Sequence, residues 1–293
     1  MPDPLPADPL PIVRRRYAEH VCALAEAEWP QLIRAFAAVP RERFVGSGPW
    51  KIIGPTLQPE PTPDADPRRL YRNVLVSLDE AKGLNNGQPQ FWATLFARLQ
   101  PRPGERAVHV GAGGGYYTAI LAELVEWNGW VTGIEYEPEL AAAAARNLAD
   151  RPNVELLAGD AHALVERPAD IIVASCGFDA VPVAWVRLLN DGGRLLIPLT
   201  GGSHLPGIGL GAMLLVTRRG GAFDAEFVGG TMIYHDSAGR TDSATNRVVA
   251  AFGYTSGQAF APPRIASLRL DEAPDDTCWL GGDGWWLSTA AHS

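Results

Sequence analysis

The sequence predicts a doubly wound α/β fold, with a Rossmann-like and mostly parallel sheet. Short apolar strands alternate with helix-like segments from about residue 107 to residue 198, and the connections between them are short. A run of small residues follows the first of these strands. Alternation of this kind places parallel strands in one sheet that helices cover on both faces. We expect an N-terminal helical cap and a C-terminal antiparallel hairpin beside this sheet.

Length, composition and charge limit the class of protein. A chain of 293 residues with 46% hydrophobic residues can bury one large core with added elements. The formal net charge of -8 argues against a general nucleic-acid or anionic-membrane binder, because such proteins carry a basic face. The three cysteines show neither a disulfide nor a zinc spacing. No apolar run approaches the roughly 18 residues that a membrane span needs, and no export signal is evident. We expect a cytoplasmic protein with no nucleic-acid, membrane or metal partner.

The region before the sheet divides into three parts. Residues 1–12 are proline-rich and are expected to form a disordered or extended leader, because proline recurs too often for a helix. Apolar residues at helical spacing then predict one helix from Val13 and a second after Pro30. Residues 46–67 are rich in Pro, Gly and Asp, which predicts a long surface loop, either a lid or a passive insertion. A third helix is expected near Gln90 to Leu99.

The predicted core elements follow in order. We expect strands at Ala107–Val110, Val131–Glu135, Val154–Leu157, Asp170–Ser175 and Arg194–Pro198, and helices at Tyr116–Val125, Pro138–Leu148 and Val183–Leu189. Two apolar segments around a Gly-Gly turn after Leu199 predict the hairpin.

These elements suggest three domains. Residues 1–75 would form the leader, the helical cap and the proline-rich loop, and residues 76–250 the ligand-binding core. Residues 251–293 would be an extension packed on the core, with packing the favoured role for Trp279, Trp285 and Trp286.

A glycine-rich loop marks the candidate ligand site. In "HVGAGGGYY", Gly111, Gly113 and Gly115 lie between a strand and a helix, where backbone N–H groups converge on a ligand in open α/β sheets. Glycines alone are weak evidence, since tight turns also use them. Glu135 ends the second strand, 24 residues after Gly111, where a carboxylate can accept hydrogen bonds from both ribose hydroxyls. Asp160 ends the third strand and could meet an adenine amino group, although each acid could equally be an exposed loop or helix-cap residue.

The sixth position of the loop distinguishes between cofactors. The dinucleotide pattern G-x-G-x-x-G requires a small residue there, and this chain has Tyr116. S-adenosylmethionine has no diphosphate, and it needs only a short group of N–H donors and the two acidic sites. The spacing therefore favours S-adenosyl-L-methionine, with S-adenosyl-L-homocysteine as the product, over NAD.

The assembled motifs "VGAGGGYYTA", "IEYEP", "GDA", "DIIVAS" and "DGGRLLIP" resemble those of class I S-adenosylmethionine-dependent methyltransferases. The upstream "AAVPRERFV" and the Tyr-x-Thr-Ala that follows the glycines resemble the protein-L-isoaspartate O-methyltransferase family in particular. The likeness covers about residues 13–45 and 71–235. It implies that Gly111, Gly113, Glu135 and Asp160 bind the cofactor, and we expect Gly115 and Tyr116 of the same loop to contact it as well.

The resemblance also identifies a segment that faces the methyl acceptor. In the family this segment reads Thr-Ile-Ser-x-Pro, and its hydroxyl lies beside the substrate carboxylate. Here it reads "LNNGQP", and Gly87 stands at the serine position. We call residues 85–88 the acceptor segment. We hypothesise that Asn85, Asn86 and Gln88 replace the hydroxyl as hydrogen-bond donors, the alternative being that Asn-Asn-Gly is simply a turn.

Three function classes remain open from the sequence. The first is a methyltransferase acting on a carboxylate or another nucleophile of a peptide, a protein or a small molecule. The second is a non-catalytic module that only binds S-adenosylmethionine, and the third is a nicotinamide oxidoreductase. A carboxylate acceptor needs no general base, whereas an amine or phenol would need one. The candidate bases are Asp79, His204, His235 and Asp236, and His109 is expected in the core. The acceptor and the oligomeric state cannot be read from the chain.

Overall fold

The computed structural model describes residues 8–54, 58–203, 207–235, 241–253 and 262–292. Its helices are α1 (Leu10–Leu24), α2 (Pro30–Ala38), α3 (Pro89–Leu99), α4 (Tyr116–Val125), α5 (Pro138–Leu148), α6 (Ala161–Leu164), α7 (Val183–Arg187) and α8 (Asp242–Phe252). Short 3-10 turns span Arg41–Phe44 and Pro67–Leu70.

The strands follow the same order along the chain. They are β1 (Lys51–Ile53), β2 (Pro59–Pro61), β3 (Leu75–Asp79), β4 (Leu84–Asn85), β5 (Arg106–Val110), β6 (Trp130–Glu135), β7 (Val154–Ala158), β8 (Ala169–Ala174), β9 (Leu189–Gly202), β10 (Ile208–Arg219), β11 (Ala222–Tyr234), β12 (Ser267–Leu270), β13 (Cys278–Gly282) and β14 (Trp285–Ser288). The predicted α/β class, the alternation of strands and helices and the C-terminal hairpin are confirmed.

The chain forms two compact units. The first comprises residues 1–105 and 112–159, and the second comprises residues 106–111 and 160–293. The first unit holds helices α1 to α5, a small antiparallel sheet in the order β2-β1-β3-β4, and the parallel pair β6–β7. The expected domain boundaries therefore remain a prediction from sequence.

The N-terminal helices of the first unit form because their apolar faces meet. Proline at the first position of α2 costs nothing, since the N–H that it lacks would be unpaired there. Phe36 of α2 is fully buried, and its ring lies 6.3 Å from that of Tyr17 and 6.4 Å from that of Tyr116, both edge-on. The helical cap is thus closed by an aromatic cluster.

The prediction of a surface loop at residues 46–67 is partly wrong. Strands β1 and β2 lie within it, and β1 pairs with β3, so that the insertion is built into the small sheet. Trp50 of this insertion is buried in one cluster with Leu70 and Val76. The sequence did not predict β1 and β2, because strands of three residues show no period and proline, which stands at both ends of β2, is rare in strands. Proline is tolerated in β2 because β2 is an edge strand.

The second unit carries the longer strands. β5, β8 and β9 pair in parallel, and β9, β10 and β11 continue in antiparallel pairing. The sheet does not stop at the hairpin, because β12, β14 and β13 extend it further. β9 begins five residues earlier than Arg194, since residues 190–193 bulge out where its register with β8 shifts.

The tryptophan-rich extension packs into the protein as expected. Trp285 and Trp286 are buried, and the ring of Trp279 lies 5.3 Å from Phe227 and 5.0 Å from Phe252. In the described ranges, no helix combines the length and the apolar character that crossing a lipid bilayer requires.

Removing the ring at the centre of the cap will test the packing of the first unit. Phe36→Ala is expected to lower the free energy of unfolding by about 3–5 kcal/mol, because it leaves a cavity among rigid rings. Trp127→Ala, which removes a side chain that is 86% exposed, is expected to change it by less than about 0.5 kcal/mol. Urea denaturation followed by circular dichroism measures both, and equal losses would contradict the packing described here.

Candidate functional site

The glycine-rich loop follows β5 and leads directly into α4. Gly111, Gly113 and Gly115 have φ angles of +75°, +56° and +92°, in the left-handed region that side chains disfavour. Glycine is therefore required by the backbone at all three predicted positions, and Gly115 forms the N-cap of α4.

The chain itself packs closely against this loop. A Cβ at Gly114 would lie 2.1 Å from the carbonyl oxygen of Phe44, and one at Gly115 would lie 2.9 Å from Leu148 Cδ1. A Cβ at Gly113 would lie 3.3 Å from Leu78 Cδ1. The small residues of the loop thus admit neighbouring elements of the first unit, whatever ligand they also admit.

Glu135 is buried at the end of β6 and is bound to the loop. Its Oε2 accepts the Gly113 N–H at 2.6 Å, and its Oε1 accepts the Glu137 N–H at 2.9 Å. Burial raises the pKa of the Glu135 carboxyl, and the two backbone donors oppose that rise in part. Among the described residues no basic side chain forms an ion pair with it. The structure therefore holds a buried carboxylate beside the glycine loop, and none of the described residues supplies a counter-ion to it.

Other amides of the loop are used within the protein. The Gly115 N–H donates to the Ala112 carbonyl at 2.9 Å, and the Ala112 N–H donates to the Ile134 carbonyl at 3.0 Å. These bonds connect the loop to itself and to β6. They leave fewer backbone N–H groups free to bind a ligand than the sequence suggests.

The side chain of Tyr116 does not extend toward the open end of the loop. It is 2% exposed and packs against Phe36 and Phe44, and its hydroxyl lies 3.3 Å from that of Tyr17. Any contact of Tyr116 with a cofactor would therefore have to come from its backbone.

Two predicted residues belong to the second unit. Gly111 directly follows β5 and lies close to Ser175, whose Cβ would be 3.3 Å from a Cβ at Gly111. Asp160 caps the short helix α6 by accepting the His162 N–H at 2.8 Å, which is the cap role left open from sequence.

The acceptor segment is a turn with one buried anchor. Asn85 Oδ1 accepts the Gly87 N–H at 2.9 Å, and Gln88 is exposed at the start of α3. Asn86 is only 9% exposed, and its Oδ1 accepts the Val76 N–H at 2.9 Å. Its own N–H donates to the Val76 carbonyl at 3.0 Å. Asn86 is thus bound to β3, whereas the amides of Asn85 and Gln88 are the more accessible ones.

Arg41 is a residue that the sequence motifs did not identify. Its side chain is fully buried, and Nη1 donates to the carbonyls of Leu70 and Arg72 at 2.7 and 3.0 Å. Nη2 donates to the Val74 carbonyl at 2.5 Å and to Asn86 Oδ1 at 3.3 Å. A buried guanidinium therefore fixes the orientation of the Asn86 side chain, and Asn86 Nδ2 is buried without a hydrogen-bond partner in the described structure.

Two aromatic rings fill the space behind Gly87. Trp92 of α3 stacks on Tyr117 of α4, with ring centres 4.4 Å apart and planes inclined by 14°. The Tyr117 hydroxyl donates to the Gly87 carbonyl at 3.0 Å. Gly87 has φ +74°, and a Cβ there would lie 2.7 Å from Trp92 Nε1. A side chain at the family's serine position therefore has no room in this packing.

The remaining titratable candidates are spread out. Asp79 accepts the Lys82 N–H at 3.2 Å, and His235 lies half-buried at the end of β11. His109 is buried as expected, its Nε2 is 2.8 Å from Ser175 Oγ, and burial lowers its pKa to about 3. His204 and Asp236 lie outside the described residues. In the part of the chain that the structure describes, no group of three or more His, Cys, Asp or Glu side chains could hold a metal ion.

Comparison with known proteins identifies the family. The model of the Protein-L-isoaspartate(D-aspartate) O-methyltransferase family matches residues 67–205. The protein-L-isoaspartate O-methyltransferase of Pyrobaculum neutrophilum is 33% identical over 64% of this chain and 81% of its own length. The chain belongs to the protein-L-isoaspartate O-methyltransferase family. The corresponding enzyme of Methanopyrus kandleri is also 33% identical, over 66% of this chain and 78% of its own.

Solved structures agree on the fold. A protein-L-isoaspartate O-methyltransferase structure has a TM-score of 0.60 and 20% identity, covering 75% of this chain and 66% of that chain. A Plasmodium falciparum protein described as a family member, solved in complex with S-adenosyl-L-homocysteine, has a TM-score of 0.55 and 18% identity, covering 76% of this chain and 95% of its own. The Rossmann-like methyltransferase fold predicted from the sequence is confirmed.

Family membership decides between the function classes. The chain is an S-adenosylmethionine-dependent O-methyltransferase of this family, and the relatives favour neither a nicotinamide oxidoreductase nor a non-catalytic module. Members of the family act on protein substrates. This chain has Gly87 at the position where the family resemblance implies a serine.

The space behind Gly87 can be tested by restoring the serine. Gly87→Ser is expected to lower the free energy of unfolding by about 1–2 kcal/mol for the left-handed backbone, and by about 1–3 kcal/mol more for the clash with Trp92. Gly46→Ser is the matched control, since Gly46 has φ +71° and open space within 4 Å of its Cβ. Urea denaturation of both variants gives the difference. Equal losses would show that the Trp92 ring moves aside.

Proposed function

We propose that this chain methylates the free carboxylate of isoaspartyl residues in peptides or proteins, with S-adenosylmethionine as the donor. The cofactor would bind at the glycine loop and Glu135, and the acceptor would lie over the acceptor segment. The observation that carries the proposal is the buried Glu135 carboxylate, bound to Gly113 and unpaired with any cation among the described residues. Family membership supplies the chemistry.

A nucleoside ligand would offset the cost of burying Glu135. A buried charge without a partner is unfavourable, and two hydroxyl groups that donate to it stabilise the ionised form. The ribose of S-adenosylmethionine offers such a pair of neighbouring hydroxyls. Gly113 would lie beside this ribose because its N–H already meets Glu135. Gly111, Gly115, Tyr116 through its backbone, and Asp160 remain predicted cofactor contacts.

The acceptor segment favours a carboxylate as the nucleophile. Methyl transfer is an in-line displacement at the sulfonium methyl group, and a carboxylate attacks without first losing a proton. Hydrogen-bond donors would then align the acceptor, and the amides of Asn85 and Gln88 can donate where the family uses a hydroxyl. We assign Asn86 a supporting role, because it is buried and its oxygen is bound to Arg41 and Val76.

Candidate bases give less support to an amine or phenol acceptor. His109 has its pKa lowered to about 3 by burial, and it is hydrogen-bonded to Ser175. Asp79 accepts the Lys82 N–H and lies 4.0 Å from Lys82 Nζ, so its carboxylate already has partners within the protein. We therefore propose a carboxylate acceptor, which needs no general base.

The first test follows methyl transfer directly. Radiolabelled methyl from S-adenosylmethionine is expected to appear as base-labile ester on an isoaspartyl peptide, and not on the same peptide with a normal aspartyl residue. The peptide pair is its own control, because the two differ only in the position of the backbone linkage. Transfer to neither peptide, with S-adenosylhomocysteine binding confirmed by calorimetry, would refute the isoaspartyl substrate and keep the cofactor.

The second test concerns Glu135. Glu135→Gln is expected to weaken S-adenosylhomocysteine binding by roughly 10- to 100-fold, the usual value of hydrogen bonds to a charged acceptor. Glu139→Gln, which removes an exposed charge from the first turn of α5, is the matched control and is expected to bind normally. Equal binding by Glu135→Gln and the native chain would exclude the ribose role.

The pH dependence of binding follows from the same residue. Burial raises the pKa of free Glu135 above its usual 4.5, and the ribose donors would lower it again on binding. Affinity should therefore be constant above the raised pKa and fall by up to about tenfold per pH unit as pH drops below it, until the pKa of the complex is reached. Calorimetric titrations at several pH values should show this slope in the native chain and none in Glu135→Gln.

A further inference from the structure

The hydroxyl of Tyr117 is buried and bonded to the backbone of the acceptor segment. Tyr117 is 4% exposed, and its hydroxyl donates to the Gly87 carbonyl at 3.0 Å, across 30 positions of sequence. It stands at the x position of the Tyr-x-Thr-Ala motif, next to the tyrosine that carries the family resemblance. A buried hydroxyl bonded to one carbonyl at this distance fixes the orientation of that peptide group.

Gly87 needs such a restraint more than the family's serine would. Glycine loses more backbone freedom on ordering than any other residue, and at φ +74° it has no side chain to limit its alternatives. Its N–H is bound by Asn85 Oδ1 and its carbonyl by Tyr117, so both sides of the residue are restrained. The preceding residue, Asn86, is held by Arg41 and Val76.

We propose that Tyr117 is a positioning residue for methyl transfer: its hydroxyl fixes the acceptor segment through the Gly87 carbonyl and joins that segment to the start of α4. The inference rests on the proposed function, since it assumes that the acceptor lies over residues 85–88. Because Tyr117 is only two residues beyond Gly115, the hydrogen bond links the acceptor segment to the glycine loop through a single turn of helix. The acceptor and the methyl donor would then be aligned by one continuous element.

The surroundings of Tyr117 keep its hydroxyl in the donor role. The ring is stacked on Trp92, which prevents the side chain from turning away from Gly87. Burial raises the pKa of Tyr117 far above its usual value, so the hydroxyl keeps its proton at physiological pH. Arg41 opposes that rise through its charge, and neighbouring Tyr17 adds to it.

Tyr117→Phe removes the hydroxyl and leaves the stacked ring. We expect kcat/KM for the isoaspartyl peptide to fall by about tenfold, the effect of one lost hydrogen bond, while S-adenosylhomocysteine affinity stays within about twofold. Tyr17→Phe is the matched control, because it removes a buried hydroxyl of the same cluster that contacts Tyr116 and not the acceptor segment. It is expected to leave both values unchanged.

Hydrogen exchange provides a readout that does not depend on activity. In Tyr117→Phe the backbone amides of residues 84–88 are expected to exchange several-fold faster than in the native chain, and in Tyr17→Phe they are expected to exchange at the native rate. Unchanged exchange and unchanged kcat/KM in Tyr117→Phe would overturn the proposal, as would an equal loss of S-adenosylhomocysteine binding. If the native chain methylates no isoaspartyl peptide, the proposed function fails, and the exchange rates alone decide whether Tyr117 positions the segment.

Discussion

The burial of one guanidinium sets the arrangement of the first unit. Arg41 is fully enclosed, and a charge in that position must meet hydrogen-bond acceptors or destabilise the fold. It finds them at the carbonyls of residues 70, 72 and 74 and at Asn86. The turn after α2, the chain entering β3 and the acceptor segment are therefore joined at one side chain. Changes in any of these three segments would have to preserve acceptors for Arg41, which makes their relative positions unusually constrained.

The proline-rich insertion, residues 46–67, has a structural role in the same unit. It supplies β1 and β2 to a sheet that continues through β3 to β4, and β4 ends at Asn85, the first residue of the acceptor segment. Ser77 of β3 pairs directly with Asn85. The insertion is therefore joined to the acceptor segment through the hydrogen-bonded strands of this sheet. This is a structural role, and it is more specific than either a lid or a passive loop.

The sequence predicted what depends on local patterns and missed what depends on distant pairs. The parallel strands, the glycine loop and Glu135 were predicted because periodicity and fixed spacings along the chain encode them. The small sheet was missed because three of its four strands, β1, β2 and β4, have only two or three residues and carry no period. Arg41 and Asn86 are 45 positions apart, and Gly87 and Tyr117 are 30 apart, so no local pattern indicates these contacts. The burial of Asn86 and Tyr116 likewise depends on tertiary packing rather than on motif position.

The substitution at Gly87 differs from the simple loss of a functional group. If the serine had only been lost, a glycine with open space around it would be expected. Instead the Trp92 indole lies within 2.7 Å of the place that a Cβ would occupy, and Tyr117 binds the carbonyl of the same residue. A serine at position 87 would clash with the Trp92–Tyr117 pair in this packing. Gly87, Trp92 and Tyr117 therefore depend on one another. An ordered segment with restrained amides is what a site needs to align an acceptor without the hydroxyl. The packing around Gly87 therefore supports the proposal that the acceptor site of this chain is altered rather than inactive.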